Sequence, residues 1–76
     1  MTRRSPVDPP RDLLTAREKE VLEHVARDQT NQEIADALGI SIYTVKALLR
    51  KIHEKLGVST RGGAVAAAIR KGLIAK

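Results

Sequence analysis

Residues 30–57 read TNQEIADALGISIYTVKALLRKIHEKLG, and the punctuation of this stretch decides the fold. Thr30 with Glu33 three residues later forms a capping box. The threonine hydroxyl can accept from the Glu33 amide while the carboxylate accepts from the Thr30 amide, so a helix opens here. Ile34, Ala35 and Leu38 supply its inward face and Gly39 its exit. Ser41 is then a good N-cap for a longer helix, with Val45, Leu49, Ile52 and Leu56 at helical spacing before Gly57 ends it. A short capped helix, a turn at residues 39–40 and a helix of about four turns is the layout of a helix-turn-helix.

The same signals recur on either side. Thr15 with Glu18 predicts an earlier helix whose apolar face is Val21, Leu22, Val25 and Ala26. A fourth helix is expected from near Thr60 to about Lys71, with Gly72 as its stop and Leu73 and Ile74 folding back onto the core. Gly62 and Gly63 weaken its first turn, each by up to about 1 kcal/mol relative to alanine. Residues 1–12 hold all three prolines and read as a disordered arm or linker stub, with Arg3 and Arg4 on a solvated tail. The expected fold class is therefore all-α: one four-helix (tetrahelical) helix-turn-helix domain over residues 13–76, behind a flexible arm.

Composition narrows the function. A chain of 76 residues has little room for a deep enclosed catalytic pocket. Tyr43 is the one aromatic and cysteine is absent, so the core is aliphatic, and disulfides, thiolate nucleophiles and zinc fingers are excluded. No apolar run approaches the length of a membrane span, and the start lacks a signal-peptide segment, so a cytoplasmic location is expected. The net charge of +5 is unevenly placed: residues 13–40 carry three basic and six acidic side chains, residues 41–76 eight basic and one acidic. The C-terminal half is thus suited to a polyanion, and nucleic acid is preferred over a membrane because no large apolar anchors face the basic side.

On a helical wheel of the third helix, Val45, Leu49, Ile52 and Leu56 form the core stripe, and Tyr43, Lys46, Ala47, Arg50 and Glu54 gather opposite. Lys46 and Arg50 carry donors that match guanine O6 and N7, and Ala47 is small enough for close approach or for a thymine methyl. Ordinary solvated charges on an amphipathic helix remain the competing explanation. Phosphate contacts are expected from the helix starts, at Thr30, Asn31, Ser41 and Thr44 with Tyr43 beside them, and from the charges of Lys51 and Arg61. Thr30 and Ser41 have a second explanation as plain caps.

Together these residues resemble a known family. Leu14-Thr15-Ala16-Arg17-Glu18 with Val21-Leu22, Thr30-Asn31-Gln32-Glu33-Ile34-Ala35, Ile40-Ser41 with Thr44-Val45-Lys46, then Ile52, Lys55-Leu56-Gly57-Val58, Arg61 and Gly72-Leu73-Ile74 look like the LuxR-type (NarL/FixJ, GerE) DNA-binding domain. The likeness covers about residues 13–74. It implies a tetrahelical domain that binds promoter DNA, usually as a dimer, and activates or represses transcription, either as the effector domain of a response regulator or as a stand-alone regulator. It also implies base contacts at Lys46, Ala47 and Arg50, and phosphate contacts at Asn31, Ser41, Thr44 and Lys51. Three positions depart from the family pattern: Asp28 in place of a glycine, Leu48 in place of a frequent histidine, and Gly62-Gly63 in place of a capping glutamate. Leu48 either forgoes a polar contact beside DNA or extends the core.

No enzyme is expected. His24 and His53 are not spaced as a metal-ligand pair and read as surface or core-edge residues, and the acidic residues of the first helix are explained by caps and solvated charges. No cofactor, metal or small-molecule ligand is implied. The alternatives are a sigma-factor promoter-reading domain, against which the Lys55-Leu56-Gly57-Val58 ending speaks, and a protein-interaction adaptor using the same fold. On the fourth helix Ala64, Val65, Ala68 and Ile69 are expected to face the core. Gly63, Ala66, Ala67 and Arg70 are then left outward as the dimer interface. RNA polymerase is a further candidate partner.

Overall fold

The computed structural model describes residues 13–75, so the predicted arm lies outside the described residues. Four helices follow in order: α1 Ala16–Ala26, α2 Asn31–Leu38, α3 Ile42–Leu56 and α4 Arg61–Arg70. Among the described residues there is no strand.

Each helix opens on a side-chain cap. The Thr15 hydroxyl accepts from the Glu18 amide at 3.1 Å and the Glu18 carboxylate accepts from the Thr15 amide at 2.9 Å, completing the box. Thr30 and Glu33 repeat it at 3.1 and 2.8 Å. Ser41 accepts from Thr44 and Thr60 from Gly63. These bonds satisfy amides that have no partner inside their own helix.

The four exits are also alike, each closed by a bond that spans one turn beyond the helix: Gln29 to His24, Ile40 to Ala35, Val58 to His53 and Leu73 to Ala68 (amide to carbonyl). The residue before each donor has a positive φ. Three are glycines, and the fourth is Asp28 at φ 63°, a backbone conformation that glycine adopts at no steric cost. With Asp28 donating to the Val25 carbonyl, the α1 exit is a Schellman motif built on a residue that resists it. Asp28→Gly is expected to raise stability by about 0.5–1 kcal/mol, after the extra freedom of glycine in the unfolded chain is deducted. A higher midpoint in urea at unchanged slope would show this; a lower one would contradict it.

One aliphatic core joins the helices, with α1 packed on α3 and α4 and α2 on α3. Val21, Leu22, Ile34, Val45, Ile52, Ala64 and Ala68 are fully enclosed, and Leu73 and Ile74 fold back onto them as expected. Leu48 is half-buried against this cluster, so it extends the core. A single polar side chain lies in the core of the described residues: Glu18, 2% exposed. Its carboxylate accepts from the Lys55 ammonium at 2.7 Å, tying α1 to the end of α3.

Two expectations need correction. Ala26 is exposed, so the apolar face of α1 stops at Val25. On α4 the buried residues are Ala64, Ala67 and Ala68, whereas Val65 and Ile69 are half-buried and pack against the edge of the core. The helix is rotated from the expected setting because its small residues face inward, which lets its backbone lie close to its neighbours. Val65 and Ile69 line a groove with Val25 and Ala26 at the margin. Ala67, expected at a dimer interface, is 1% exposed and belongs to the core. Gly63 is half-buried as well, with a Cβ there meeting the Thr60 hydroxyl at 2.9 Å. Of the expected outward set, Ala66 and Arg70 are exposed.

Candidate nucleic-acid interface

The α2–α3 unit is set by its turn. Gly39, at φ 68°, lets the chain reverse while Ile40 donates back to Ala35 at 3.0 Å, and Ser41 at once caps α3. The Val45, Leu49, Ile52 and Leu56 stripe fastens α3 to the core, which leaves its opposite face to solvent.

That face presents Tyr43, Lys46, Ala47, Arg50 and Glu54, all exposed, with Lys51 exposed at its side. Tyr43 is 77% exposed, the one large hydrophobic residue in that state among the described residues. The Lys46 ammonium lies 6.0 Å from its ring centroid, at the outer limit of a cation–π contact. The three expected base-reading residues thus share one exposed face in the first two-thirds of α3.

The expected phosphate-contacting residues fall into three groups. Thr44 and Ser41 are exposed, and their hydroxyls are 3.0 Å apart. Thr30 is exposed and its hydroxyl is engaged in the capping box. Asn31 and Arg61 are half-buried and bonded to each other: the Arg61 guanidinium donates to Asn31 Oδ1 at 2.6 Å and to the Gln29 carbonyl at 2.7 Å. Arg61, expected to supply charge to a phosphate, is therefore also a brace between the starts of α4 and α2.

An open groove runs between α3 and this brace, lined by Asn31, Leu49, Arg50, His53, Val58 and Arg61. Sequence reasoning missed it because its walls come from three separate elements. It also missed Gln29, whose side chain bonds His24 Nδ1 while its carbonyl receives Arg61. Both histidines are half-buried, and His53 Nε2 is enclosed with no hydrogen-bond partner. Among the described residues, no group of His, Asp or Glu is placed to hold a metal ion, and no helix is long and apolar enough to cross a membrane.

The fold that positions these residues is shared with known proteins. A solved structure of the transcription factor GerE matches with a TM-score of 0.77 at 38% identity, over 80% of this chain and 91% of that one. The response regulator ChrA of a heme-sensing two-component system matches with a TM-score of 0.79 at 36% identity, over 97% of this chain but 33% of that one. In sequence, the probable transcriptional regulatory protein NarL of Mycobacterium tuberculosis (strain ATCC 25618 / H37Rv) is 44% identical over 72 residues, covering 95% of this chain and 32% of the relative. The chain thus spans about a third of NarL's length. GerE is a transcription factor, NarL a probable transcriptional regulatory protein and ChrA a response regulator, and neither a sigma factor nor an adaptor is favoured. Residues 12–68 match the family of bacterial regulatory proteins described as the luxR family, and the chain belongs to that family, as a helix-turn-helix DNA-binding domain.

Proposed function

We propose that this domain regulates transcription by placing α3 in the major groove of promoter DNA, in the cytoplasm and without catalytic activity of its own. The observation that carries this is the exposed face of α3, where Lys46, Ala47 and Arg50 stand together on a helix whose other side is locked in the core. In this reading those three residues contact base edges, and Thr30, Asn31, Ser41, Tyr43, Thr44 and Lys51 meet flanking phosphates.

The pairing surface on DNA is the exposed side of α4, at Ala66 and Arg70 with the half-buried Val65 and Ile69 beside them. Two copies related by a twofold axis would read half-sites about one DNA turn apart. The patch is small, so pairing depends on DNA, and RNA polymerase is the next partner at a promoter.

Affinity for duplex DNA is expected to fall roughly 10- to 100-fold between 50 and 200 mM salt, as for two to four neutralised phosphates. Arg50→Ala should cost about 1–3 kcal/mol and relax preference at one base position, while Lys51→Ala weakens all sequences alike and lowers the salt slope by about one. Fluorescence anisotropy on DNA selected from a random pool measures all three. Binding that is flat with salt would sink the proposal.

A further inference from the structure

We propose that Arg61 serves DNA binding as a positioning residue: it fixes the orientation of the Asn31 side-chain amide so that its NH2 donors are presented to phosphate at the start of α2. This rests on the DNA-binding reading above and adds a residue that acts through another.

A guanidinium has five donors and no acceptor. The atom of Asn31 that receives it at 2.6 Å must therefore be Oδ1, since the reversed amide would set NH2 against N–H. With Oδ1 turned to Arg61, the end of the amide turned away from it is Nδ2, which only donates. Asn31 is the first residue of α2, beside first-turn amides that also only donate. The second bond of Arg61, to the Gln29 carbonyl at 2.7 Å, holds the chain on the other side of the Thr30 cap. One side chain at the first position of α4 thus fixes both neighbours of Thr30, which holds the Asn31 NH2 beside the first-turn amides of α2 that the Thr30–Glu33 capping box leaves free, a set of donors suited to a phosphate. Both acceptors of Arg61 are neutral, so its charge stays available to the local potential.

Lysine tests this because it retains the charge but cannot make a planar fork to two acceptors. On a fluorescent random-sequence duplex of about 30 base pairs, where phosphate contacts dominate, Arg61→Lys is expected to weaken binding about tenfold with an unchanged salt slope. Asn31→Ala should weaken it similarly, and Arg61→Lys in the Asn31→Ala background should add nothing. Asn31→Asp supplies the control: its carboxylate still accepts from Arg61, so the melting temperature holds, yet binding falls by tenfold or more because a donor has become a negative charge. Additive effects of Arg61→Lys and Asn31→Ala, or wild-type affinity in Arg61→Lys, would overturn the positioning role while leaving DNA binding intact. Failure of the wild-type domain to bind duplex DNA at low salt would overturn both.

Discussion

Ala67→Glu is expected to unfold the domain. Ala67 is 1% exposed on the core side of α4, so the substitution drives a longer carboxylate into aliphatic packing. Overpacking alone costs about 1–3 kcal/mol, and burying the unpaired carboxyl, ionised or protonated, adds several more. A loss above about 4 kcal/mol would consume most of the stability of a domain this small. Circular dichroism at 25 °C should show the helical signal reduced or absent. Ala66→Glu, one residue earlier and exposed, changes stability by less than about 0.5 kcal/mol. On the proposed pairing surface it sets like charges across the twofold axis. It should therefore abolish cooperative binding to a two-site operator and leave single-site binding intact. A folded Ala67→Glu variant with an unshifted melting temperature would mean that α4 is rotated from the position described.

The second large effect is at Glu18. Burial pushes its carboxyl pKa up, but the Lys55 ammonium and the amide and hydroxyl of Thr15 together outweigh this and hold it below the ordinary glutamate value. Glu18→Ala removes a charged hydrogen bond and half of a capping box, and should cost about 2–4 kcal/mol at pH 7. The pH dependence follows from the sign. A carboxyl whose folded pKa is depressed contributes stability above the unfolded value of about 4.3, and loses it as pH falls through the folded pKa. Wild-type stability should therefore decline below about pH 4.5, and Glu18→Ala should flatten part of that decline. In Lys55→Met the chief opposing charge is gone, burial dominates, and the Glu18 pKa moves up. The penalty of that variant should then shrink on acidification. Urea denaturation from pH 7 to pH 3 measures each case. A penalty for Lys55→Met that grows on acidification would contradict the buried pair.

The candidate interface was legible to the extent that it depends on one helix. Tyr43, Lys46, Ala47 and Arg50 could be set on the exposed side of α3 because its opposite stripe has four large aliphatic residues at regular spacing. The groove beside them and the brace at Arg61 were not legible, since the Arg61–Asn31 bond joins residues 30 apart in the chain.

By itself the sequence determined what is local: the caps at Thr15, Thr30, Ser41 and Thr60 bind amides three residues ahead, so a few neighbouring side chains settle where each helix begins. Tertiary structure alone decided the rotation of α4, the pairing of Glu18 with Lys55 across 37 residues and the commitment of Arg61 to Asn31. The physical reason is the same in each case. A helix rich in alanine and glycine has too little contrast in size to say which side is buried. A charged side chain carries no mark of which distant partner the packed helices will bring within reach.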